Sequence, residues 1–152
     1  METLVQDDFF SIALQDNILV VTLHNTAEVP SINFHSLGTV FSAMQALITQ
    51  RGLAEKGWAV LYDFSAVMDY EMTAATAFAN FFRWARRNGR LKAAHVFPRS
   101  RNEGEVSMIK RVILSLVTQL AQSADDHYTA EDVSDGLRWM KQVLTVPTND
   151  KG

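Results

Sequence analysis

The stretch that most restricts the fold runs from Trp58 to Leu91, WAVLYDFSAVMDYEMTAATAFANFFRWARRNGRL. It opens on Trp58-Ala59-Val60-Leu61-Tyr62, an unbroken apolar run. Such a run, rich in β-formers, reads as a strand covered on both faces, as in a parallel sheet flanked by helices. Polarity switches at Asp63-Phe64-Ser65. Met72, Ala75, Ala79 and Phe82 then recur at helical spacing, with Phe78 alongside. Arg83, Arg86 and Arg87 fill the last turn, where cations suit the helix dipole. Gly89 follows as a left-handed cap and leads into the next strand.

The flanks extend this pattern. Phe9–Leu14 and Ile18–Leu23 are two β-rich runs joined by Asp16-Asn17, which predicts an antiparallel hairpin. Residues 25–31 form a loop containing Pro30. Phe34, Leu37, Val40, Phe41, Met44, Leu47 and Ile48 predict a first helix, capped by Ser31 or Asn33 and ended by Gly52. Leu91–Phe97 is the fourth strand, 99–104 a polar loop, and 106–120 a third helix with a broad apolar face. A short strand is expected at 126–128. Thr129 is the expected cap of a fourth helix carrying Val133, Leu137, Met140 and Leu144, with Asp132 as a weak capping-box partner. The order is β-β-α-β-α-β-α-β-α, a mixed sheet of four or five strands with packed helices. One domain is expected over residues 1–152, with its core at about 8–144 and a frayed tail over 145–152.

Composition narrows the function classes. The 47% hydrophobic and 20% charged residues are those of an ordinary globular chain. No apolar run reaches the length of a membrane span, no signal peptide is evident, and there are no cysteines, so a cytoplasmic protein is expected. The net charge of −3 is unevenly spread: residues 1–82 balance to −7, residues 83–111 to +7, and residues 112–152 to −3. The basic block, with Trp84 on the same helix, would suit nucleic acid. The acidic pI of about 5.7 and the absence of a nucleic-acid motif favour an acidic protein surface or a second copy instead. His24 and His95 with Asp63 could form an acid–base set at the strand ends. Asp63, Asp69 and Glu71 could hold a divalent cation. Structural histidines and solvated or capping carboxylates are the commoner explanation of both. No catalytic set, metal site or cofactor is expected.

The central stretch resembles the STAS domain family (sulfate transporter and anti-sigma factor antagonist), in its SpoIIAA-like branch. In that family a buried strand ends in a motif like Asp-Leu-Ser-x-Val, followed by Asp-Ser-Ser-Gly and a helix. Here Asp63-Phe64-Ser65-Ala66-Val67 matches the first part, and Glu71-Met72-Thr73-Ala74 stands in place of the second. Arg86-Arg87-Asn88-Gly89-Arg90-Leu91 matches the usual helix end and strand start. Residues 128–132 leading to Gly136-Leu137-Arg138-Trp139-Met140 are similar to the closing helix. The resemblance implies a non-enzymatic protein-binding or regulatory module. The family's phosphorylated serine falls on Met72, which has no hydroxyl, so the phosphorylation switch does not carry over to that position. Thr73 is adjacent and Ser65 lies in the loop.

The expected contact surface is the loop Ser65–Tyr70 with the helix Glu71–Trp84: Ser65, Asp69, Glu71, Met72, Thr73, Phe81, Trp84 and Arg87. Phe81 and Trp84 lie three apart, off the Phe78/Phe82 stripe. They either form an exposed pair or are covered by a neighbouring helix. The partner would be a protein or a second copy in a homodimer. The alternative is a carrier or sensor of a small apolar, lipid-like ligand between the second and third helices.

Overall fold

A computed structural model describes residues 1–97 and 126–145. The expected loop 99–104, the third helix 106–120, the ligand pocket beside that helix and the frayed tail beyond residue 145 lie outside the described residues. The element order is β1 (Glu2–Gln6), β2 (Phe10–Gln15), β3 (Ile18–His24), α1 (Phe34–Gln50), α2 (Leu53–Lys56), β4 (Trp58–Ala66), α3 (Thr73–Arg87), β5 (Arg90–Val96), β6 (His127–Ala130) and α4 (Val133–Thr145). The protein is α/β. The described strands form one mixed sheet, ordered β1-β2-β3-β4-β5-β6.

The sheet follows the chain. β1, β2 and β3 pair antiparallel, and β3 through β6 pair parallel. The hairpin turn is at Asp16-Asn17 as expected, with Asp16 in the left-handed region at φ 57°. Asn17 Nδ2 donates to the Gly57 carbonyl at 2.8 Å and ties the turn to the start of β4.

The strand count corrects the expectation of four or five. The sixth strand, β1, is an edge strand whose sequence ETLVQ carries only Leu4 and Val5 as large apolar residues. Its hydrogen bonds to β2 hold it, so it leaves little hydrophobic pattern. Likewise α2 is a single turn between two left-handed glycines, Gly52 and Gly57. The expected start of the last helix is also corrected. Thr129 lies in β6, and Asp132 Oδ1 accepts from the Asp135 N–H at 2.8 Å, so the cap is Asp132. Asn33, rather than Ser31, caps α1: its Oδ1 accepts from Ser36 N at 2.9 Å and its own N–H donates to Ser36 Oγ at 2.9 Å.

Strand alternation sorts the core into two layers. From β4, Trp58, Val60, Tyr62 and Phe64 face α1 and α3, while Ala59 and Leu61 face α4. The first layer is aromatic, with Phe78 and Phe82 of α3 over Tyr62 and Phe64. The second is thinner, built on Leu61, Ala94, Val96 and Met140.

Gly89 has φ +90° after the C-cap Asn88, and a Cβ there would run into the backbone carbonyl of Ala54 in α2. Backbone cannot swing aside as a side-chain end can. Gly89→Ala is therefore expected to cost about 2–3 kcal/mol, read as a lower urea midpoint. An unchanged midpoint would show that α2 does not pack as described.

Candidate functional site

β4 is flanked on both sides by parallel strands, and its C-terminal end is where an open α/β sheet presents ligand-binding loops. Asp63 begins the turn there. Its Oδ1 accepts from Ser65 N at 3.0 Å and from Ser65 Oγ at 2.6 Å. Phe64 and Val67 anchor the loop inward, leaving Ser65, Ala66, Met68 and Asp69 exposed.

The loop is stitched to the segment before α1. Asn25 Oδ1 accepts from Met68 N at 2.6 Å and Asp69 N at 3.2 Å. Ile32 N donates to the Asp69 carbonyl at 3.0 Å, and Glu71 N returns to the Ile32 carbonyl at 2.8 Å. Asn33 Nδ2 donates to Glu71 Oε2 at 3.0 Å, and Phe34 N to Thr73 Oγ1 at 3.2 Å. These bonds set the starts of α1 and α3 side by side as one surface.

Of the residues expected to form the contact surface, Ser65, Asp69, Glu71, Met72 and Thr73 come together here, all exposed. Phe81 does not belong with them. It is 3% exposed and stacks on Phe41 of α1 at 4.2 Å between centroids, so the neighbouring helix covers it. Trp84 is half-buried and stacked on Phe81. Arg87 is exposed at the far end of α3, about 20 Å from Met72 at 1.5 Å per residue.

One residue of this surface lies outside the expected loop and helix. Phe34 was counted with the apolar stripe of its helix but is 49% exposed, because it is the first residue of α1. Met68 is 70% exposed and Met72 69%. Three of the five exposed large hydrophobic side chains among the described residues thus lie at this end. Asp69 and Glu71 adjoin Met68 and Met72 in the chain, and a cleft of about 560 Å3 with Glu131 and Asp132 in its wall opens at the same end of the sheet. The cleft is walled by Asp63 and Ser65 of β4, Val96 and Phe97, and residues 131–134.

The acid–base set suggested by His24, His95 and Asp63 does not assemble. Tyr62 pairs with His95 and Asp63 with Val96, so His95 lies on the α3 side of the sheet and Asp63 on the other. Asp63 is engaged by Ser65 and Glu71 by Asn33. Among the described residues no group of three or more His, Asp or Glu side chains is placed to hold a metal ion.

A polar cluster lies instead inside the aromatic layer. Tyr62, His95 and His127 form a row of nearly parallel rings, 5.2 Å and 6.0 Å between centroids, with Phe82 in contact with each ring. Arg90, its side chain 1% exposed, donates from Nη2 to Asp126 Oδ2 at 3.1 Å. Its Nη1 is 3.3 Å from His127 Nε2. Arginine has only donors, so this contact is a hydrogen bond in the tautomer that leaves Nε2 unprotonated; Asp126 Oδ1 also lies 3.6 Å from Nε2. Burial first, and then Arg90, hold His127 down to about 3. Burial, His127 and Arg90 hold His95 down to about 3 as well. Burial pushes the Tyr62 hydroxyl up, against the pull of Arg90. Burial lowers Arg90 itself, while Tyr62 and Asp126 oppose that shift.

The basic block is divided by this arrangement. Arg83, Arg86 and Arg87 are on the exposed side of α3, Arg90 is in the core, and residues 99–111 lie outside the described residues.

The site and sheet define an α/β domain with a loop surface at the end of a central parallel strand. No protein-family model matches the chain, and no curated protein matches it. Among the described residues no helix is long and apolar enough to cross a membrane.

Proposed function

We propose that the chain is a non-enzymatic STAS-like binding or regulatory module that works without a phosphorylation switch at residue 72. Its contact surface is the loop 65–70 together with the first turn of α3. The observation that carries this reading is Met72, 69% exposed at the start of α3, where the resembling family places its regulatory serine. A thioether cannot be phosphorylated, so association through this residue is constitutive with respect to that modification. The loop beneath is held by hydrogen bonds to Asn25, Ile32 and Asn33, so little ordering is lost on contact.

A photo-crosslinking amino acid tests the surface in cells. Placed at Met72, it should yield a discrete adduct of higher mass. Placed at Lys56, at the opposite end of the sheet, it should not. Equal adducts at the two positions, or none at Met72, would overturn the reading.

A further inference from the structure

We infer that the surface around Met68, Met72 and Phe34 docks a basic segment with an apolar face, supplied by another protein. This rests on the binding-module reading above and gives its partner a chemistry.

Two features of the surface select that occupant. The first is apolar exposure without a cover: Met68 70%, Met72 69% and Phe34 49% exposed on adjoining segments held together by the Phe34–Thr73 and Asn25–Met68 hydrogen bonds. Methionine is unbranched and polarizable, so such a patch adapts to apolar side chains of varied shape. The second is charge. Among the described residues, the segments at this end, 24–34, 63–73 and 127–135, contain Glu28, Asp63, Asp69, Glu71, Glu131, Asp132 and Asp135 and no lysine or arginine. Glu28, Asp69, Glu71, Glu131 and Asp132 are exposed. A field of one sign steers the opposite sign inward and repels its own. Phosphate backbones and anionic lipid surfaces are thereby disfavoured, and lysine- or arginine-bearing peptide is favoured.

The acids at the helix starts have a local reason in the helix dipole. That reason does not extend to Glu28 and Asp69, which lie in loops, nor to the three exposed hydrophobic residues.

A second copy is the competing occupant. The opposite end of the sheet carries Lys56, Arg86, Arg87 and the 47% exposed Leu91. Its apolar part is one leucine, and acidic end on basic end is a head-to-tail contact that propagates rather than closes.

Fluorescence anisotropy on the full chain decides. The probes are a labelled amphipathic Lys/Leu peptide and its twin with every lysine replaced by glutamate, at physiological salt. The Lys/Leu peptide should bind saturably and the twin should not. Met68→Ser with Met72→Ser, and separately Glu28→Lys with Asp69→Lys, should each weaken binding by about tenfold or more. All four residues are exposed, and unchanged urea midpoints would verify that the variants fold. Equal binding of the twin, unaltered binding by both variants, or no binding by wild type would overturn the proposal. So would sedimentation showing that wild-type chains assemble head to tail and that Asp69→Lys disperses them. If the peptide fails while the crosslink at Met72 still forms, the module stands and the partner chemistry is wrong. If the crosslink fails too, the module reading falls with it.

Discussion

Asp126→Asn is expected to destabilise the protein by about 3 kcal/mol, far more than a half-exposed surface ion pair would warrant. The reason is the partner. The Arg90 side chain is 1% exposed, and the Asp126 carboxylate, 22% exposed, is its only ion-pair partner among the described residues. Asparagine keeps the shape and one acceptor but removes the charge, leaving a guanidinium in the core. Arg90 cannot shed its proton at neutral pH, so the cost falls on folding. The double variant Arg90→Met with Asp126→Asn removes the stranded charge and should recover most of the loss. Urea unfolding of wild type, single and double variants measures this. A single variant within about 0.5 kcal/mol of wild type would show that Arg90 reaches water.

Arg90 also shows where sequence reading stops. In the sequence it belongs to the same basic block as Arg83, Arg86 and Arg87, and nothing local separates Arg87 from Arg90. What buries Arg90 is the start of β5 beneath α3 and a carboxylate 36 residues later. Nothing local in the sequence links His95 to His127. Their stacking comes from β5 pairing in parallel with β6, a contact between distant segments. By contrast, β4, the β2–β3 hairpin and α1 were legible, since each is coded by a local run: five apolar residues, a two-residue turn, and apolar positions at three and four. β1 was illegible because an exposed edge strand buries little and needs only backbone partners. Phe81 was legible in spacing but not in burial, because a side face of α3 can meet solvent or a neighbour. Here α1 meets it.

The contact surface divides in the same way. The loop after β4 follows from the polarity switch at Asp63, and Met72 at the helix start follows from the resemblance. The contribution of Phe34 follows from neither. It requires knowing that Phe34 N donates to Thr73 Oγ1, which places the start of one helix against the start of another 39 residues away.

Stability should fall steeply as pH drops from about 6.5 toward 3. Both histidines are held near 3 in the folded protein, against 6.5 for the free side chain. The folded state therefore keeps them neutral while the unfolded chain takes up protons. Their contribution is fully present above 6.5 and is lost progressively below it. Each depressed histidine adds a slope of up to about 1.4 kcal/mol per pH unit in this window. Arg90 opposes protonation of both, and Arg86 and Lys92 add to that for His127, while the Asp126 carboxylate, its Oδ1 3.6 Å from His127 Nε2, pulls the other way without overcoming burial. Urea midpoints measured from pH 7.5 to pH 4 should fall throughout the interval. His95→Phe keeps a flat ring between Tyr62 and His127 and removes one of the two titrating groups. It should roughly halve the slope while leaving Arg90 its contacts with His127 and Asp126. A flat profile in wild type, or an unaltered slope in His95→Phe, would mean that water reaches the histidine row and that the layer beneath α3 is not closed.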